Sequence, residues 1–299
     1  MNRIVAKEEF SQNPSVKMMQ IEAPRIARKA KGGQFVVFRL NETGERVPLT
    51  VADTDPEKGL VTIIFQEVGK STMALGKLEV GDCLADFIGP LGQPTHMGDF
   101  GTVLCVAGGI GIAPTHNIVK ALKANGNKVI TILGARTKSL LFWEDKMRDL
   151  SDELYICTDD GSYGTHGLVT KIEEELLEKN RESGEIGLVI GIGPPIMMKF
   201  VCKTSEPFGI ETLVSLPTIM VDATGMCGAC RVTVGGETKF VCVDGPEFDG
   251  HKVDFDEMLK RQSIYVEQEK VAVERYRHGD DCGCCDKCGG DQYWLTKRR

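Results

Sequence analysis

Several classes of protein are excluded by what this 299-residue sequence lacks. Aromatic residues make up only 6%. No apolar run approaches the ~20 residues that a bilayer-spanning helix needs. The segment from Met1 to Phe10 has no apolar stretch and carries Lys7, Glu8 and Glu9, unlike a signal peptide. Basic residues do not dominate: 36 Lys and Arg stand against 43 Asp and Glu, a net charge of -7. A general nucleic-acid binder would show a basic face. Hydrophobic residues at 41% and charged residues at 26% argue against disordered and fibrous chains. The expectation is a soluble, cytoplasmic protein of about two or three domains, with neither membrane nor nucleic acid as partner.

Glycine and cysteine are plentiful, at 34 and 11 positions. Cys83, Cys105, Cys157 and Cys202 are scattered, three of them in apolar runs. These four are read as structural, since a free buried Cys behaves as a small hydrophobe. The remaining cysteines cluster as Cys227, Cys230 and Cys242, and as Cys282, Cys284, Cys285 and Cys288. In a reducing compartment, clustered cysteines point to metal rather than to disulfides.

The first hundred residues read as short strands, among them 34–40, 60–65 and 83–88, bounded by Gly and Asp clusters. Such spacing suggests a small β-barrel or sandwich. After Gly98-Asp99 the pattern changes. Apolar runs at 102–107, 128–133, 154–157, 188–192 and 212–216 alternate with helical patterns at 115–125, 139–150, 169–180 and 195–203. That alternation predicts a doubly wound parallel α/β sheet. Gly126 is expected to cap the first of these helices. The resulting domain expectation is a barrel over 1–98, an α/β domain over 99–216, a Cys-rich module over 217–250 and an extension over 251–299. Within the extension, 258–277 is loosely periodic and charged, suiting a peripheral helix.

The strand at 102–107 runs directly into Gly108-Gly109-Ile110-Gly111-Ile112-Ala113-Pro114. Glycines at a strand-to-helix turn let backbone N–H groups approach a pyrophosphate beside the helix start. A tight turn that merely requires glycine reads the same way, because the spacing is not the usual dinucleotide fingerprint. Further small or polar turns follow the later strands: Gly134-Ala135-Arg136, Asp159-Asp160-Gly161-Ser162 and Gly191-Ile192-Gly193-Pro194-Pro195. Ligands of open α/β sheets bind at those strand ends. Arg136 and Lys138 are cations suited to a ribose 2′-phosphate. In the N-terminal part, Arg46-Val47-Pro48-Leu49-Thr50 and Gly69-Lys70-Ser71-Thr72 combine a cation, hydroxyls and small residues. Each alone reads as an ordinary exposed turn.

In this order, with Gly89-Pro90-Leu91-Gly92 between them, these segments resemble the ferredoxin–NAD(P)+ reductase superfamily over residues 1 to about 215. The resemblance implies FAD on the barrel, held through Arg46, Pro48, Leu49, Thr50, Gly69, Ser71 and Thr72. It implies a nicotinamide nucleotide, NAD(H), on the α/β domain near Gly108, Gly109, Gly111, Ala113, Pro114, Arg136, Asp159, Gly193 and Pro194. Ile192 stands where that superfamily often has a cysteine, so no catalytic cysteine is expected there.

Asp222, Cys227, Cys230 and Cys242 follow with spacings x4, x2 and x11. A C-x2-C knuckle closed by a further Cys suits zinc or a [2Fe–2S] cluster. The small Gly225-x-Cys227-Gly228-x-Cys230 loop, with N–H groups free to face sulfide, favours the cluster. Asp222 is either its fourth ligand or a turn residue, the fourth ligand then coming from elsewhere. The module resembles the electron-transfer subunit of dihydroorotate dehydrogenase. It is more similar to the small subunits of NADH-dependent reduced ferredoxin:NADP+ oxidoreductases, which share Asp at the first ligand position.

That resemblance implies an NAD(H) oxidoreductase subunit using FAD and [2Fe–2S]. Its partner would be a larger subunit with FAD and [4Fe–4S] clusters that handles ferredoxin, in flavin-based electron bifurcation. A subunit serving dihydroorotate dehydrogenase, sulfide dehydrogenase or hydrogenase is the alternative. A non-enzymatic flavin and cysteine redox sensor is another. Cys282, Cys284, Cys285 and Cys288 suggest an additional metal or iron–sulfur site, or a redox-labile tail.

Overall fold

The computed structural model describes residues 2–10 and 13–279. The Cys-rich tail, and with it Cys282, Cys284, Cys285 and Cys288, lies outside the described residues.

The N-terminal unit is one antiparallel sheet of β1 (Asn2–Phe10), β2 (Asn13–Glu22), β3 (Phe35–Arg39), β4 (Val47–Asp55), β5 (Leu60–Gln66), β6 (Cys83–Leu84) and β7 (Asp86–Leu91). Its order is β6-β1-β2-β5-β4-β3-β7. Only Ala85 separates the two edge strands in sequence, so the sheet curls into a nearly closed barrel. The interior is filled by Ile4, Met19, Ile21, Phe38, Val51, Ile63 and Phe65, with Leu75 contributed by a short helix, α2 (Lys70–Gly76). A still shorter helix, α1 (Pro24–Ala27), lies between β2 and β3.

The second unit is a sheet of β8 (Thr102–Gly108), β9 (Lys128–Ala135), β10 (Glu153–Thr158), β11 (Thr165–His166), β12 (Ile186–Ile192), β13 (Glu211–Ser215) and β16 (Glu247–Asp249). The order is β11-β10-β9-β8-β12-β13-β16, parallel except for the last strand. Helices α3 (Ile112–Ala124) and α4 (Glu144–Leu150) bury Ile112, Ile118, Val119, Leu122 and Met147 in one cluster. Helix α5 (Val169–Ser183) buries Ile172, Leu176 and Leu177, and α6 (Pro195–Ser205) buries Val201, in a separate one. Strand order reverses between β8 and β12, which places a crevice at their carboxyl ends.

The Cys-rich module is inserted between the last two strands of this sheet. After β13 the chain forms the cysteine loop, the hairpin β14 (Arg231–Val234) and β15 (Glu237–Phe240), and the short α7 (Val241–Asp244). It then returns as β16, pairing Leu213 with Asp249 and Ser215 with Glu247. Two helices follow, α8 (Phe255–Gln262) and α9 (Val266–His278).

Several sequence expectations need correction. The helix expected over 139–150 is broken, because Trp143 takes φ 56 in the left-handed region and starts α4 only at Glu144. Gly126 ends α3 as expected: at φ +90 it follows the last capping residue, Asn125, with its N–H on the Lys123 carbonyl. The peripheral element at 258–277 is two helices interrupted at 263–265. Cys105, Cys157 and Cys202 are buried as expected, whereas Cys83 is exposed and takes no part in the core. Strands β1 and β2 went unforeseen because charged residues interrupt their period-2 pattern; Lys17, buried in β2, forms ion pairs with Glu9 and Glu67.

Candidate functional site

The candidate residues form three clusters. The first uses the start of β4 and the start of α2. Val47, Pro48, Leu49 and Thr50 are all half-buried although they belong to a central strand of the barrel. Arg46 precedes them, exposed and without an ion pair among the described residues. At the head of α2, the Gly69 N–H donates to Thr72 Oγ1 at 3.1 Å, and that hydroxyl donates to the Gly69 carbonyl at 3.0 Å. The Ser71 hydroxyl donates to the Glu45 carboxylate. Arg46 therefore has a guanidinium available for a phosphate, which it fits bidentately.

The same strand is fixed to the nucleotide unit. Asn117 Nδ2 donates to the Val51 carbonyl at 3.1 Å, and Lys120 pairs with Asp53 at 2.8 Å. His116 Nδ1 lies 3.2 Å from the Ala52 carbonyl and the ring packs 4.8 Å from that of Trp143. Burial lowers the His116 pKa, so the ring is neutral near pH 7; facing a carbonyl, Nδ1 carries the proton. Helix α3 thus holds the glycine turn at its start in a set position relative to β4.

That turn is the second cluster. A Cβ at Gly108 would come 2.3 Å from Met197 Sδ, one at Gly111 would come 2.3 Å from the Ile192 carbonyl oxygen, and one at Gly193 would come 2.7 Å from Met197 Cε. The β8–α3 and β12–α6 turns therefore interlock at a spacing only glycine permits. Ala113 is buried and Pro114 half-buried in the first turn of α3, while Pro194 is exposed beside Gly193. Exposed Ile110, Leu168 and Ile196 sit in the neighbouring turns; sequence reading assigned them no role.

Across the sheet, the turns after β9 and β10 are joined. Asp159 N donates to the Ala135 carbonyl at 3.0 Å, and Asp160 N to the Arg136 carbonyl at 3.2 Å. Lys138 N donates to Ser162 Oγ at 2.8 Å, and the Lys138 ammonium lies 4.6 Å above the Tyr163 ring. Hydrogen bonds from Ser162 hold the Asp160 pKa low. The turn that carries Arg136 and Lys138 is thus tied by these bonds to the turn that carries Asp159, Asp160 and Ser162.

The third cluster is the cysteine loop. Ala223 at φ 59, Gly225 at φ +82 and Gly228 at φ +67 wind the chain around itself. One Asp222 carboxylate oxygen accepts from Thr224 N and the other from Cys227 N, both at 3.0 Å, and these bonds lower its pKa. The turn role of Asp222 and its placement beside Cys227 are therefore both present. Cys230 and Cys242 are buried with their sulfurs 3.2 Å apart. Two thiolates on one tetrahedral ion sit ~3.8 Å apart, given bonds of ~2.3 Å, so a small spread would seat both on one iron. Among the described residues no three His, Cys, Asp or Glu side chains form a single-ion site. Two pairs, Asp222 with Cys227 and Cys230 with Cys242, suit a two-iron cluster better than one zinc ion. Beside Cys227 lies a cavity of about 330 Å³ whose lining includes Ile219, Arg231, Arg261 and Tyr265.

The barrel and the module also touch directly. Gln93 Nε2 donates to the Val243 carbonyl at 2.9 Å, and Thr95 Oγ1 to Glu247 at 2.6 Å. The Gly89–Gly92 segment accordingly leads into a bridge that ends one residue from Cys242. Among the described residues no helix is long and apolar enough to cross a membrane.

Comparison with known proteins agrees with this division. Residues 105–203 match the oxidoreductase NAD-binding domain, and residues 218–254 match the iron–sulfur cluster binding domain of dihydroorotate dehydrogenase B. The chain is 48% identical over 276 residues to a dihydroorotate dehydrogenase B (NAD(+)) electron transfer subunit homolog from Thermotoga maritima, covering 92% of this chain and 95% of the relative. It is 35% identical to a probable subunit of that kind from Methanocaldococcus jannaschii, covering 83% and 90%. A solved structure described in connection with flavin-based electron bifurcation, that of an NADH-dependent reduced ferredoxin-NADP oxidoreductase, is similar at 47% identity and TM-score 0.85, covering 93% of this chain and 98% of that one. The cytochrome b5 reductase domain of Ulva prolifera nitrate reductase, at 18% identity and TM-score 0.57 over 70% and 93%, shares the fold alone. FAD, a nicotinamide nucleotide and a [2Fe–2S] cluster are the cofactors of this architecture. With barrel, nucleotide sheet and inserted cysteine module all in place, the chain belongs to the family of dihydroorotate dehydrogenase B electron-transfer subunits and their homologues, an oxidoreductase electron-transfer subunit.

Proposed function

We propose that this chain is the flavin and iron–sulfur subunit of an electron-bifurcating NADH-dependent reduced ferredoxin:NADP+ oxidoreductase. The observation that carries the reading is the 47% identity across 98% of the chain from that enzyme's structure. Asp222 at the first ligand position supports it. When bound, the flavin exchanges hydride with the nicotinamide and single electrons with the cluster, chemistry that belongs to the cofactors.

The protein's share is placement. Arg46 would pair with a flavin phosphate, and Pro48, Leu49, Thr50, Gly69, Ser71 and Thr72 would complete the flavin site. Gly108, Gly109 and Gly111 present backbone N–H groups and the start of α3 to the nucleotide pyrophosphate. Ala113 and Pro114 shape that helix start, and Gly193 and Pro194 close the opposite wall. Asp159 and Arg136, at the ends of β10 and β9, would face the adenine ribose, and NAD(H) is the nucleotide that the family resemblance implies. The His116–Ala52 and Asn117–Val51 bonds hold the start of α3 against β4. Asp222, Cys227, Cys230 and Cys242 hold the cluster. Cys227 is exposed, next to Val221 and to Met226 at 88% exposure, which suits transfer to a docked protein. That partner is a larger subunit with FAD and [4Fe–4S] clusters, through which ferredoxin is reached.

Isolation of the native complex, with mass spectrometry and flavin and iron counts, tests the reading. A co-purifying larger flavoprotein that reduces ferredoxin with NADPH is expected. A dihydroorotate dehydrogenase, sulfide dehydrogenase or hydrogenase partner would replace this assignment. Absence of NADH turnover with an artificial acceptor would favour a redox sensor instead.

A further inference from the structure

We propose that Arg261 and Arg231 are positioning residues for the [2Fe–2S] cluster, holding its C-x2-C loop with backbone N–H groups inward and raising its reduction potential. This rests on the assignment of Asp222, Cys227, Cys230 and Cys242 as ligands. Only Gly228 and Ala229 separate two of them, and both carbonyls are held by guanidinium groups. Arg231 Nη1 donates to the Gly228 carbonyl at 3.3 Å, and Arg261 Nη2 donates to the Ala229 carbonyl at 3.0 Å.

A trans peptide is planar, so its C=O and the following N–H point in opposite directions. Drawing the Gly228 and Ala229 carbonyls toward the arginines turns the N–H groups of Ala229 and Cys230 the other way. Among the described residues neither N–H has an acceptor. They are therefore available to cluster sulfur, and hydrogen bonds to sulfur together with net charge set the potential of such clusters.

Arg261 is supplied by a helix that is itself anchored. The Asp254 carboxylate caps α8 by accepting from Glu257 N at 2.9 Å; Phe255 and Met258 are buried; and Asp256 pairs with Lys199 at 2.6 Å. Arg261 is half-buried and, with Arg231 and Cys227, lines the 330 Å³ cavity. All four ligands are anionic when bound, so the cluster gains negative charge on taking an electron. Two fixed cations beside the loop favour that reduced form.

An EPR-monitored redox titration of the holoprotein, with iron, sulfide and flavin quantified, tests this. Arg261→Gln and Arg231→Gln are expected to keep the cluster but titrate at lower potential, the first more than the second. Arg261→Lys should fall between, since it keeps charge but not the planar fork. Raising the ionic strength should narrow the difference between wild type and variants. Loss of cluster but not flavin from Arg261→Gln also supports the clamp. If flavin is lost as well, the more exposed Arg231 decides through its own variant. An unchanged potential in both Gln variants overturns the proposal. Separately, a [2Fe–2S] signal that survives unchanged in Cys230→Ala would overturn the ligand assignment instead.

Discussion

Replacing Gly111 by Ala would put a methyl carbon 2.3 Å from the Ile192 carbonyl oxygen, 2.8 Å from its carbon and 3.0 Å from Gly193 Cα. All three are backbone atoms, so no side chain can turn aside. Non-bonded contact begins near ~3.5 Å, and the β8–α3 and β12–α6 turns must part by about 1 Å. Overpacking of this kind costs ~1–3 kcal/mol, which a chain with this many buried strands tolerates while folded. The functional cost is larger on the proposed reading, in which this turn holds the nucleotide: a misplacement of about 1 Å lowers a hydride-transfer rate on the order of 10²-fold. Stopped-flow reduction of the bound flavin by NADH, alongside urea denaturation, measures both. The expected variant is folded, retains flavin, is modestly less stable and is reduced far more slowly. Wild-type reduction and wild-type affinity for NADH would refute the placement of the nucleotide at this turn.

Arg46→Ala is expected to lose FAD on gel filtration, and full retention of flavin would remove Arg46 from the site. Asp222→Cys should keep the cluster with altered EPR and absorption spectra, Asp222→Ala should make it labile, and truncation after Arg277 should leave the signal unchanged. A signal altered by that truncation would move the fourth ligand into the tail. Glu173 is fully buried in α5, both carboxylate oxygens lack partners among the described residues, and burial raises its pKa from 4.5 to about 9. It stays protonated in the folded chain while the unfolded chain ionises, so stability falls as pH rises from about 4.5 toward 9. At pH 7 the penalty is on the order of 3 kcal/mol. Glu173→Met should abolish that slope and raise the urea midpoint at pH 7; an unchanged slope would show that another group carries it.

The sequence by itself determined the local elements and the chemistry they offer. Apolar runs such as 102–107 and 188–192 are buried on both sheet faces, so their whole length reads as strand, and the structure places them in β8 and β12. The glycines that follow mark a close backbone approach before any coordinates are known. Cysteine spacing likewise announces a metal module, because ligand geometry is set over a few residues. Trp143 broke a helix that periodicity supported, since a left-handed residue leaves no apolar signature. Contacts between distant segments were decided only by tertiary structure. The turn of Asp159 and Asp160 is tied to that of Arg136 by backbone hydrogen bonds because β9 and β10 pair side by side. Arg261 reaches the Ala229 carbonyl from 32 residues away, and no sequence pattern links a surface helix to a cysteine loop. The insertion of the cysteine module between β13 and β16 depends on an antiparallel pairing of short strands. Such pairing is fixed by packing against the rest of the sheet rather than by any preference of those residues alone.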